Sequence, residues 1–237
     1  MIRARVGLGS ATVDTILPAG TFAPGDDVEG TIAVTGGRAD QRIDEFHCSV
    51  VAVGEGDEEY EIAAFDLLEG FLIEAGETER VPFTVTFPVW TPVTRGDVGA
   101  RLEVGADIAW AVDPHDSVDL EVAPDPLLAA ALEAVAGLEF EFGRSWLQAV
   151  DWLEDRPFVQ VFAFEPGANY EDRVERLLLT PILEADRLRL HVEIDRVDAV
   201  ANEYDLDFNR DEVPFVVETA DPSMIQGRIR NEIEQHS

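Results

Sequence analysis

Polar and apolar positions alternate through the first half of the chain, the spacing at which successive side chains of an extended strand point to opposite faces. Over residues 28–35, Val28, Ile32 and Val34 share one face and Glu29, Thr31 and Thr35 the other, and Gly36-Gly37 supplies the turn that ends the run. Phe46, Cys48, Val50 and Ala52 fall in phase, as do Val81, Phe83, Val85 and Phe87. The longest run sets Leu102, Val104, Ala106, Ile108, Trp110 and Val112 on one side. A short one, Val118, Leu120 and Val122, follows the turn Asp113-Pro114-His115-Asp116. Strands divided by Gly, Pro and Asp, without helices between them, predict an antiparallel β-sandwich over residues 1–123.

At Pro124-Asp125-Pro126 the period changes. Leu127, Leu128, Ala131, Leu132 and Val135 recur at helical spacing and Gly137 is the stop, so residues 124–137 are expected to form a short linker helix. Strand patterning resumes at residues 158–164, 174–179, 188–194 and 214–217, which predicts a second sandwich over residues 138–220. Within it, the stretch after Ser145 reads as a short amphipathic helix with Trp146, Leu147, Val150 and Leu153 on one side. Residues 221–237 close the chain as a helix, with Asp221 as N-cap, Pro222 at the first helical position and a narrow stripe of Ile225, Ile229 and Ile233. The fold class expected is therefore all-β, two sandwich domains in tandem joined by a linker helix, with a C-terminal helix.

Charge changes the picture of the surface. The chain has 49 Asp and Glu against 17 basic residues, every one of them Arg, for a formal net charge of -32. Residues 1–123 carry -17 of it and residues 124–237 carry -15, so the excess belongs to the whole surface and not to a tail. Such self-repulsion opposes compaction in dilute buffer, whereas in molar salt the screening length shrinks to about 3 Å. The pattern resembles proteins of salt-in halophilic archaea. It also excludes nucleic acid and anionic membrane surfaces as partners, since both require clustered basic residues. The opening Met1-Ile2-Arg3-Ala4-Arg5 lacks the apolar core of a signal peptide. The apolar run from Leu127 to Leu138 is too short to span a bilayer. One cysteine, Cys48, cannot build a disulfide framework. A cytoplasmic protein is expected.

Candidate chemistry is sparse. The four histidines, His47, His115, His191 and His236, stand on different elements; His47 and His191 fall in outward phase, and Cys48 sits in the phase of buried residues. Neither a nucleophile elbow nor a phosphate-cradling glycine loop is present, so no enzyme, no catalytic residue and no cofactor is expected. The best metal candidate is Asp205, Asp207, Asn209 and Asp211, whose oxygens recur at alternate positions like the opening of an EF-hand loop. Arg210 stands where glycine is needed and Val216 where the bidentate Glu belongs. Asp113, His115 and Asp116 form a lesser cluster. Trp146 and Trp152 are candidate partner anchors, with packing inside the protein as the alternative. The Ile225, Ile229 and Ile233 stripe docks either on its own body or on another subunit.

The run from Gly7 to Thr15, the segment Pro24-Gly25-Asp26-Asp27-Val28-Glu29-Gly30, Gly36-Gly37, Gln41 and Ile43 together resemble the sporulation-control protein M family, the stage-zero regulators. So do Val81-Pro82-Phe83-Thr84-Val85-Thr86-Phe87-Pro88 with Thr91-Pro92-Val93-Thr94, the segment from Arg156 to Pro166, and Glu193-Ile194-Asp195-Arg196. The likeness spans roughly residues 7 to 218 and leaves unmatched the segment from Gly143 to Asp155 and the C-terminal helix. It implies an immunoglobulin- or arrestin-like pair of sandwiches and a regulatory scaffold, with no catalytic residues. The function expected is a non-catalytic protein-interaction module in a high-salt cytoplasm. Its partners are other proteins, and self-association through a sheet edge or the C-terminal helix is a further expectation. A divalent-cation-responsive module is the alternative, and an unrecognised hydrolase the third reading.

Overall fold

The computed structural model describes residues 10–108, 113–197 and 214–236. The chain divides into two compact units, Met1–Thr94 with Gly99–Ala123, and Arg95–Val98 with Pro124–Ser237. The protein is mostly β, with antiparallel sheets and a C-terminal helix.

The first unit has two sheets. Strands β1 (Thr12–Ile16), β2 (Asp27–Thr35) and β5 (Thr78–Thr86) form a three-stranded sheet in the order β1-β2-β5. Strands β3 (Gln41–Val53), β4 (Glu59–Ile73), β6 (Gly99–Ile108) and β7 (His115–Leu120) form a four-stranded sheet in the order β4-β3-β6-β7. The alternation read from the sequence is the alternation of burial: Val28, Ile32, Val34, Val81, Phe83 and Val85 line the core from one sheet. Phe46, Cys48, Val50, Leu102, Val104 and Ala106 line it from the other. Apolar faces that would otherwise meet water hold the two sheets together. Two strands, β1 and β4, escaped the reading by period. β1 is five residues long, and β4 pairs with β3 through register shifts at Phe46/His47 and Val50/Val51. Each shift inserts a residue and resets the period-two phase on which the reading depends. Trp110 and Val112, the end of the longest run, lie outside the described residues.

In the second unit, β8 (Glu141–Ala149), β9 (Phe158–Glu165), β10 (Val174–Leu183), β11 (Leu188–Arg196) and β12 (Phe215–Val217) form one antiparallel sheet in the order β12-β11-β10-β9-β8. Helix α1 (Pro126–Ala136) begins where Asp125 accepts the Leu127 N–H at 2.7 Å, with Pro126 in the first turn. Helix α2 (Pro222–His236) begins where Asp221 accepts the Ser223 N–H at 2.9 Å. The two helices pack together, and α2 also lies against β11.

The amphipathic helix expected after Ser145 does not form; that stretch is the end of β8 and the connection that follows it. Residues of β8 alternate, with Ser145 and Leu147 buried and Arg144, Trp146 and Gln148 half-buried. The strand hydrogen-bonds along β9, with Trp146 opposite Val161 and Gln148 opposite Val159. Four apolar residues over eight positions fit the helical period, but Trp and Val hold a helix weakly, and a complementary strand alongside decides the conformation.

Candidate functional site

Residues directly opposite one another in adjacent strands project to the same face of a sheet. In the five-stranded sheet the pairs Trp146 with Val161, Ala163 with Leu178, Thr180 with His191 and Ile182 with Arg189 therefore define one face that crosses β8, β9, β10 and β11. At its centre Val161 and Ile182 are fully buried, and Val159, Ala163 and Leu178 nearly so. These five form an apolar cluster against which Trp146, Val150, Trp152 and Leu153 pack, each of them half-buried. Three of those four come from the connection between β8 and β9, which folds back over the sheet as far as β11. There the Trp152 ring meets the His191 ring edge-on, centroids 6.0 Å apart and planes at 61°.

Charged groups frame this surface. The Arg144 guanidinium lies 4.9 Å over the Trp146 ring. At the base of the connection, Val150 N–H donates to Pro157 O at 2.9 Å. Arg156, itself buried, places Nη2 2.7 Å from Asp155 Oδ2 and donates from the same nitrogen to Leu183 O at 3.4 Å. Across the hairpin from β10 to β11, Arg189 Nε lies 2.7 Å from Glu184 Oε1, and Arg187 bonds the same carboxylate. The Arg156 hydrogen bond holds the Asp155 carboxyl below the usual carboxylate range, and the charge of Arg189 adds to it. The hydrogen bond from Arg187 holds Glu184 down in the same way, helped by Arg189. Burial, and after it the Arg189 charge, lowers the pKa of His191. Two tryptophans with arginines at their margin have the composition that dominates binding energy in protein contacts.

The other residues singled out from sequence fall as follows. Asp205, Asp207, Asn209 and Asp211 lie outside the described residues. Asp113 and Asp116 each accept a backbone hydrogen bond, from Ile108 N–H at 3.0 Å and Thr15 N–H at 2.6 Å, and so serve the first unit's backbone. Cys48 is buried, and burial pushes its thiol up to about 12, which leaves it inert at neutral pH. His47 and His115 are exposed. His191, expected at the surface, is half-buried because the β8–β9 connection covers it. Ile225, Ile229 and Ile233 are 2%, 0% and 0% exposed, so their stripe docks on its own body, one of the two outcomes its spacing allowed. Sequence reasoning grouped Val150 and Leu153 with Trp146, though on a helix, and missed His191 as the companion of Trp152.

A family model described as SpoOM protein (Spo0M) matches residues 1–198. The chain belongs to the Spo0M family. The sporulation-control protein spo0M of Bacillus subtilis (strain 168) is 32% identical over 204 residues, 82% of this chain and 79% of that protein. The crystal structure of Spo0M, sporulation control protein, from Bacillus subtilis superposes with a TM-score of 0.82 at 28% identity, covering 97% of this chain and 100% of that one. The match of the Spo0M model includes β8, β9 and the connection between them, and ends before β12 and α2. No helix among the described residues is long and apolar enough to cross a membrane.

Proposed function

We propose that this Spo0M-family chain is a non-catalytic regulatory scaffold that works by holding a partner protein in a high-salt cytoplasm. The observation that carries the reading is the pair Trp146 and Trp152, half-buried against one apolar sheet face, Trp146 on β8 and Trp152 reaching β11, with arginines at the margin. Membership of a family whose Bacillus subtilis relative is named for sporulation control supports a regulatory role. The even acidic charge supports a saline working environment, in which contact-range apolar and hydrogen-bonded interactions persist and long-range attraction does not.

The test is affinity capture in molar KCl with the wild-type chain and with W146A/W152A in parallel. Partners retained by the wild type and lost by the double variant, at unchanged circular dichroism, are the expected result. Equal capture by both would remove this face from the reading.

A further inference from the structure

We infer that the outer face of the β1-β2-β5 sheet is a docking surface for the chain's own N-terminal segment, which folds back along β2 and seats Ile2 beside Thr31. This surface belongs to the first unit and involves neither Trp146 nor Trp152. Ile16 of β1 stands opposite Thr31 of β2, and Thr31 opposite Pro82 of β5, so the three side chains project to one face. It is the face turned from the core, since Val28, Ile32, Val81 and Val85 project the other way and are buried. In the next row Glu29 stands opposite Thr84. Ile16 and Pro18 on one side, and Pro82 and Thr84 on the other, wall a trough of about 850 Å3 floored by β2. Strands lie about 4.8 Å apart, so the walls stand about 10 Å from each other and admit one extended chain along β2. Ile16 is 45% exposed in its wall, and both prolines are exposed.

Residues 1–9 lie outside the described residues, and length, pattern and charge identify them as the occupant. Ser10, the first described residue, stands just before β1, whose Thr12 pairs with Thr35 at one end of the face. Six extended residues span about 20 Å, which is also the run of β2 from Thr35 to Glu29. A reversal at Gly7 to Gly9 therefore lays residues 1–6 along that run and brings Ile2 level with Thr31. Ile2, Ala4 and Val6 alternate with Arg3 and Arg5, so an extended segment turns small apolar side chains to the floor and guanidinium groups to the rim. The rim is acidic. Asp14, Asp27 and Glu29 project to this face with Arg80 as the single cation among its described rows. The first nine residues carry two arginines and no carboxylate side chain, in a chain with 49 Asp and Glu. Contacts at this range persist in molar salt, where longer attraction is screened.

Paired cysteines test the fold-back in the full chain, in molar KCl and with Cys48→Ala removing the native thiol. Ile2→Cys with Thr31→Cys is expected to form an intramolecular disulfide at least about tenfold faster than Ile2→Cys with Thr78→Cys, because docking raises the effective concentration at one register. Thr78 is exposed and shares the row of Thr12 and Thr35, beside which the segment emerges, so an unseated tether meets it first. Equal or reversed rates would overturn the assignment. A disulfide joining two copies would place the segment in a neighbour's trough and overturn the fold-back as well. The second readout needs no pair: the thiol of Thr31→Cys alone is labelled at least about fivefold faster once residues 2–8 are deleted. An unchanged rate at native circular dichroism would show the trough uncovered in the full chain, and the assignment falls. Should the deletion variant unfold, the disulfide rates decide by themselves.

Discussion

Strand β5 of the first unit alternates between exposed and buried positions, whereas β9 of the second is buried at seven consecutive ones. A sheet with one wet face needs a single apolar partner, and the two sheets of the first unit provide it for each other. A strand buried on both faces needs two covers. Phe158, Phe162 and Phe164 are buried on one side, and Val159, Val161 and Ala163 lie under the β8–β9 connection on the other. One unit is sealed by regular structure. The second is sealed on one face by a loop bearing Trp152, which leaves that ring half-exposed.

The largest expected effect concerns what the units share. Charge is divided almost equally, -17 and -15, so dilution from molar to about 0.1 M KCl, where the screening length reaches about 10 Å, loosens both together. Circular dichroism with site-resolved hydrogen exchange checks this; loss of one unit with the other intact would break the symmetry. Next come core truncations, where the units should differ in degree. Phe162→Ala, deep in β9, is expected to cost about 4 kcal/mol, and Val85→Ala in β5 about 2 kcal/mol, read from denaturant unfolding in molar KCl. A smaller loss for Phe162→Ala would mean that the doubly covered strand is loosely packed.

Gly30→Ala is expected to cost about 1–2 kcal/mol, because a Cβ there meets the Phe83 ring at 2.3 Å and the ring must move. An unchanged melting temperature would show that Phe83 rotates freely.

The smallest effect is the pH response of the loop-covered face. Asp155 and Glu184 have depressed pKa values, so the stability they add is complete above about pH 5 and is lost as pH falls through their folded values. His191 is also depressed; its contribution is complete above about pH 6.5 and declines below it. Trp152 fluorescence, compared with W152F, is expected to change in these two windows, and His191→Gln to abolish the upper one. Asp155 is mostly exposed, so Asp155→Asn costs less than about 1 kcal/mol. A response unaltered in His191→Gln would assign it elsewhere.

Much of the architecture was legible in the order of residues. The in-phase sets around Val28, Cys48, Phe83 and Leu102 became the buried faces of β2, β3, β5 and β6, because a two-residue period leaves a half-buried strand little choice of which face to bury. Both helix starts were written in Asp125-Pro126 and Asp221-Pro222. The candidate site was legible as its two tryptophans with Val150 and Leu153, and not as a sheet face. The six-residue spacing of the tryptophans could not reveal that one would stand in β8 and the other in a loop folded onto β11.

The sequence by itself determined the strand periodicity, the helix boundaries and the charge of the surface, all of which are set by neighbours along the chain. Tertiary structure decided which apolar side chains stay sealed. Ile229 disappears beneath α1 and β11 while Trp152 remains half in water, although both are apolar residues on the same acidic chain. Burial depends on what arrives from distant parts of the sequence, and local pattern carries no record of that.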